Sequence, residues 1–238
     1  ATREFLTAQD GGLYNTYTDG GKAEAAIAAL GTRWELEQIA MRLWPAASLV
    51  QGLVTALFDI VEQHDVDAMR VRQVRVGLAP GAFKMHGGFD AYKGKFEALL
   101  SAHYIAAVVV HDRTLSLAQF EPDRYDDAKL RQFAAGKVEV RADAALRDAQ
   151  AAVEIETFDG AILSARCEHP LGSCENPLSR AQVEQKFRTY ARGQLPDPLV
   201  AEVIGAVAEL ESLASVRPLM DTLRVPPRAA RPAVAAAE

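Results

Sequence analysis

The chain has 238 residues, 49% apolar and 24% charged, with a formal net charge of −6 and two cysteines. That length is enough to bury a substantial core in one large or two small domains, and the acidic balance disfavours nucleic acid, whose phosphates need a basic face. No apolar run nears the roughly 20 residues of a membrane span, and the first residues lack the pattern of a signal peptide, so the expected setting is the cytoplasm, with Cys167 and Cys174 as thiols.

In chain order, "AQDGGLYNTYTDGG" reads as a turn-rich loop and "KAEAAIAAL" as a short helix closed by Gly31. From Pro45 to His64, apolar residues Leu49, Leu53, Leu57, Ile60 and Val61 recur at three- and four-residue spacing, which predicts an amphipathic helix with Pro45 in its first turn. "MRVRQVRVGLAP" alternates like a half-exposed strand. The stretch "FDAYKGKFEALLSAHYIAAVVVHDR" predicts one helix with a nearly all-apolar middle, ended by His111, Asp112 and Arg113. The charge run "EPDRYDDAKLR" reads as a solvated face.

Two further strand regions follow, "KVEVRAD" and "AAVEIETFDGAILSARCEH". In the second, Asp159-Gly160 between Val/Ile-rich arms is a strong hairpin signal. Ser179, with Gln182 three residues on, predicts a capped helix, and "PLVAEVIGAVAELESLASVRPLMDTL" predicts one or two more. The Pro/Ala-rich tail 226–238 reads as disordered. The expected class is α+β: strands and helices from Val66 to about Pro170 form an α+β unit, with helical segments before and after it.

The stretch "RCEHPLGSCENPLSRAQVEQKF" holds both cysteines and His169, but the Gly, Asn and Pro residues between them are turn chemistry, and the cysteines lack the further Cys or His pairs of a zinc site. It reads as a hinge into a helix.

These segments resemble the 2-methylcitrate dehydratase family (MmgE/PrpD): a "DG" hairpin leading to "PLGSCENPL" and a "KF" helix, a "MRLWP" segment upstream, and "LLSAHYIAAVVVHDR" between them, in the family's order and spacing. The resemblance implies the C-terminal half of a lyase that needs no cofactor, in which residues 1–65 end a helical domain, 66–178 form an inserted α+β domain and 179–225 return to the helical domain. Its substrate would be a small di- or tricarboxylic acid, handled by proton removal or delivery next to a carboxylate (dehydration, decarboxylation or epimerisation). It also implies a homodimer, or association with a helical N-terminal half that carries most of the acid/base residues.

The residues matching the family's motifs are Arg42, where lysine is usual, and Ser101 and Tyr104. Ala47 and Gln51 stand where a histidine often occurs, and Leu99 where an arginine often does. The implied roles are carboxylate binding by Arg42, with Ser101 beside it, and proton donation by Tyr104. His103, in the apolar helix, and His86, in the loop "KMHGGFDAYKGK" flanked by Lys84 and Lys93, are the further candidate catalytic groups. The alternative reading is a non-catalytic split or degenerate member that binds a partner or dimerises.

Overall fold

The computed structural model describes residues 5–8, 12–19, 22–88 and 90–224, so the tail expected to be disordered lies outside the described residues. The chain divides into two compact units, residues 1–40 and 41–238. The first unit holds α1 (Leu13–Tyr17) and two 3-10 turns, Ala23–Ala26 and Glu35–Gln38. The helix expected at "KAEAAIAAL" shrinks to the first of these turns. Ile27 and Leu30 are exposed, and a segment this short does not hold a helix without a buried face.

The second unit is α+β. Helix α2 (Gln51–His64) begins six residues later than predicted, behind a 3-10 turn at Ser48–Val50. The amide Nε2 of Gln51 donates to the carbonyls of Trp44 (3.2 Å) and Ala46 (3.1 Å), which holds residues 44–46 out of a helix. Gly52 lies against backbone: a Cβ there would stand 1.9 Å from the Ala149 carbonyl oxygen.

Strand β1 (Val71–Leu78) is followed by a helical crossover: α3 (Pro80–His86), α4 (Lys95–Leu100), α5 (Ala102–Asp112), α6 (Pro122–Tyr125) and α7 (Ala128–Lys137). Strand β2 (Val138–Ala142) then pairs parallel to β1, with Val74 opposite Val138 and Leu78 opposite Ala142. The hairpin β3 (Ala151–Thr157) and β4 (Ile162–Cys167) completes a sheet of order β2-β1-β3-β4, with both later pairings antiparallel. Its loop is three residues long: the Thr157 amide donates to the Ala161 carbonyl at 3.0 Å, and Gly160 takes the left-handed conformation at φ +85°.

One face of the sheet, including Val74, Val76, Leu78, Val153 and Ile155, is buried with α2 and α5. The other carries cross-strand polar pairs, among them Arg75 with Glu156 at 2.5 Å and Gln73 with Glu139 at 3.1 Å. A sheet covered on one face, here a mixed one, partitions its residues in this way.

The single helix expected from Phe89 to Arg113 is two helices, because Ser101 stops α4 and caps α5, its Oγ accepting from the Tyr104 amide at 3.0 Å. The charge run at α6 and α7 is partly engaged. Arg124 forks onto the Asp112 carboxylate, with Nε 2.8 Å from Oδ2, and Asp127 caps α7 through the Leu130 amide. Helix α8 (Arg180–Ala191) starts at the predicted Ser179–Gln182 capping box. Helices α9 (Asp197–Ala208) and α10 (Arg217–Thr222) follow, joined by the Thr222 hydroxyl on Glu202. No described helix is long and apolar enough to cross a membrane.

Candidate active site

The Arg42–Trp44–Pro45 segment has no regular secondary structure, yet three elements grip its backbone. The Met41 amide donates to the Gly172 carbonyl at 2.8 Å, the Lys186 ammonium on α8 donates to the Arg42 carbonyl at 2.5 Å, and Gln51 takes the carbonyls of Trp44 and Ala46. The Trp44 ring stacks on Phe58 of α2, with centroids 5.2 Å apart and planes 12° from parallel. A chain held at so many carbonyls and amides presents its side chains in fixed directions.

The turn between the hairpin and α8 is part of this grip. Its Gly172 amide donates to the Asn176 carbonyl at 2.7 Å, the Asn176 amide Nδ2 to the His169 carbonyl at 3.1 Å, and the Leu171 amide to the Thr55 hydroxyl at 3.1 Å. Cys167 is buried and Cys174 exposed, with no disulfide between them. Among the described residues no group of three His, Cys, Asp or Glu side chains is placed to hold a metal ion. The Gly, Asn and Pro residues of the cysteine-bearing stretch form a turn that leads from the hairpin into α8.

Beside the gripped segment lies an open groove of about 740 Å³. Arg42, Ser48, Lys186 and Tyr190 supply its polar lining, and Phe96, Leu99, Leu100 and Leu117 face it from α4 and the turn after α5. The Arg42 guanidinium donates weakly to the Ala46 carbonyl, at 3.3 Å, and forms no ion pair among the described residues. Burial raises the pKa of the Tyr190 phenol above its ordinary value.

Of the five residues expected at a site, Arg42 lines the groove. The other four are buried, and none of them lines it. Ser101 is buried, with its Oγ occupied as the α5 cap. Tyr104 is fully buried between the rings of Tyr92 (4.8 Å) and Phe120 (5.7 Å), and its hydroxyl donates to the Gln119 carbonyl. Desolvation pushes its pKa well above that of an ordinary phenol.

His86 is not in a loop: it is the last residue of α3, buried, with Nδ1 3.0 Å from the Leu100 carbonyl. Pro80 at the head of α3 and the Phe83 amide on the Ala79 carbonyl start that helix where a loop was expected. His103 is buried too, and its Nδ1 has no hydrogen-bond partner among the described residues. Burial lowers the pKa of both histidines; the Leu100 carbonyl opposes this at His86 and the Asp90 carboxylate at His103. Both are therefore neutral imidazoles near pH 7.

Sequence reasoning missed Lys186 and Tyr190 as groove residues. The first sits in the "KF" motif already noted as a landmark, so the signal was present, but nothing local joins it to Arg42.

A family model described as the MmgE/PrpD C-terminal domain matches residues 44–211. Two Aspergillus terreus proteins, each named cis-aconitate decarboxylase and one from strain NIH 2624 / FGSC A1156, are 25% and 26% identical to the chain over 246 aligned positions. Each alignment covers 95% of this chain and 50% of the relative, so the chain spans about half the length of these curated relatives. The matched region contains α2, the whole sheet with its crossover, the gripping turn, α8 and α9. The chain belongs to the MmgE/PrpD family, through its C-terminal domain.

Proposed function

We propose that this chain forms one wall of the active site of a lyase acting on a small di- or tricarboxylic acid without a cofactor, with Arg42 holding a substrate carboxylate. The carrying observation is the position of Arg42: a guanidinium without an ion-pair partner among the described residues, on a segment gripped from three sides, at an open groove of about 740 Å³. A planar guanidinium grips a carboxylate through two parallel charge-assisted bonds and stays charged while negative charge grows on the substrate. In decarboxylation, the electron pair of the breaking C–C bond passes into the system conjugated with a remaining carboxylate as CO2 leaves, and a proton is then added at carbon. The guanidinium favours the intermediate charge.

For proton transfer within this chain His103 is preferred, because the Tyr104 hydroxyl and the His86 Nδ1 are engaged by the Gln119 and Leu100 carbonyls, whereas His103 Nδ1 has no partner among the described residues. The remaining acid/base groups belong to a helical half, to which residues 179–225 return. Since the curated relatives are named cis-aconitate decarboxylases, cis-aconitate is the first substrate to test and 2-methylcitrate the second.

The test follows the double-bond absorbance and CO2 release with this chain alone and with a longer product that includes the preceding coding sequence. The chain alone should be silent and the longer product active. In the longer product Arg42→Ala should lose about 10²–10³-fold in rate, as for removal of a charge-stabilising donor. A longer product inert on both acids, or an Arg42→Ala variant at full rate, would sink the reading. The alternative, a partner-binding or dimerisation module, draws support from Gln51, which stands at a usual histidine position and serves to hold backbone carbonyls. An inert longer product that self-associates would favour it.

A further inference from the structure

The groove beside Arg42 has a charge pattern that one binding residue does not explain. Its lining includes two charged side chains, Arg42 and Lys186, and no aspartate or glutamate. Neither cation forms an ion pair among the described residues, in a chain whose net charge is −6. Elsewhere in the second unit cations are commonly neutralised, as Arg75 is by Glu156, Lys95 by Glu121, Arg124 by Asp112 and Arg166 by Glu168. Two unneutralised cations on one concave surface repel each other and favour an anion between them.

We infer that Lys186 is a second carboxylate-binding residue of this groove, contacting one carboxylate of a polycarboxylate while Arg42 holds another; the inference rests on the reading of Arg42 given above.

The geometry fits the division of labour. The Lys186 ammonium sits 2.5 Å from the Arg42 carbonyl, while the Arg42 guanidinium reaches toward the Ala46 carbonyl. The reach of one arginine side chain plus one hydrogen bond therefore sets the upper limit on the separation of the two cationic heads, a span within which two carboxylates on a short carbon skeleton fit. An ammonium has three donors; the Arg42 carbonyl occupies one, which leaves two for an incoming carboxylate. Phe96, Leu99 and Leu117 of the lining offer apolar contact to the skeleton. A monocarboxylate would leave one cation unmatched, so the pair selects for di- and tricarboxylates over singly charged acids.

The test is calorimetric binding at low salt to the full chain, using tricarballylate, a saturated tricarboxylate, and butyrate, which carries a single carboxylate. Lys186→Met should weaken tricarballylate by about tenfold or more, while Lys186→Arg, which keeps the charge, should stay within about threefold. Butyrate, held by Arg42, should bind Lys186→Met and wild type alike. If Lys186→Met weakens both probes by the same factor, Lys186 only positions Arg42 and the inference fails. It also fails if Lys186→Met binds tricarballylate like wild type, or if Lys186→Arg is no better than Lys186→Met. Should Arg42→Ala abolish binding while Lys186→Met does not, the Arg42 reading stands and this one falls. Absence of saturable tricarballylate binding to wild type at about millimolar concentration overturns both.

Discussion

Gly172 and Met41 lie backbone against backbone. The Met41 amide donates to the Gly172 carbonyl at 2.8 Å, and a Cβ on residue 172 would stand 1.9 Å from the Met41 carbonyl oxygen. The glycine is also at φ +94°, where an L side chain is strained even without the clash. The turn after the hairpin can approach the Arg42 segment this closely because residue 172 has no side chain.

Gly172→Ala should therefore release that segment. The expected cost is about 1–3 kcal/mol, combining left-handed backbone strain with the displaced contact. Thermal melting reads the loss, and weaker stacking of Trp44 on Phe58 should shift tryptophan emission. A variant with unchanged melting and emission would contradict the grip described for residues 41–46.

A matched pair of helix glycines gives a change of opposite sign. Gly52→Ala drives a Cβ onto the Ala149 carbonyl oxygen inside the core and should destabilise by about 1–3 kcal/mol. At the exposed Gly205 of α9 a Cβ meets nothing within 4 Å, and Gly205→Ala should stabilise by about 0.5–1 kcal/mol. Equal effects at the two sites would refute the packing assigned to α2.

Tyr104→Phe tests whether the hydroxyl holds structure. Its removal leaves the Gln119 carbonyl without this donor in a partly buried setting, at an expected cost of about 1–3 kcal/mol. Chemical denaturation of wild type and variant measures it. Unchanged stability would mean that the hydroxyl is free to serve elsewhere, as the family motif suggests.

The buried histidines set an acid limit. His86, His103 and His111 all have pKa values lowered by burial, the last despite the neighbouring Asp112 carboxylate. A histidine with a depressed folded pKa takes up its proton more readily in the unfolded chain. Its contribution is therefore complete above about pH 6.5 and declines as pH falls through the folded values. Asp127, Glu156 and Asp159, whose pKa values are lowered by hydrogen bonds and cations, add their own loss only below about pH 4. The melting temperature should thus already fall between about pH 6.5 and pH 5, and a flat profile there would contradict neutral buried imidazoles.

What could be read from sequence was what is local. The Asp159-Gly160 turn, the Ser179–Gln182 capping box and the alternation of β1 each lie within a few residues of the groups that cause them, and each stands where expected. The break at Ser101 was hidden inside an apolar run, because a hydroxyl that caps one helix and stops another looks like any serine in a periodic pattern. The late start of α2 was hidden for a related reason: Pro45 is a good first-turn residue, and only the Gln51 side chain folding back on Trp44 and Ala46 disqualifies it. Arg42 was legible as a candidate through its motif. Its union with Lys186, 144 positions away, was not, since it exists only once the hairpin has returned the chain to α8.

The parallel pairing of β1 with β2 also shapes how the sheet is assembled. Val74 meets Val138 across a crossover of five helices, and Val74 meets Ile155 still further along the chain, whereas Ile155 and Leu163 pair across a short turn. The entropy of closing a loop grows with its length, so the β3–β4 ribbon is the cheapest part to form and the central strand β1 has only distant partners. Distant pairings slow folding. The buried α5 in the crossover depends on the sheet it covers, and substitutions of Val108 or Val110 should therefore register in the refolding rate as well as in the final stability.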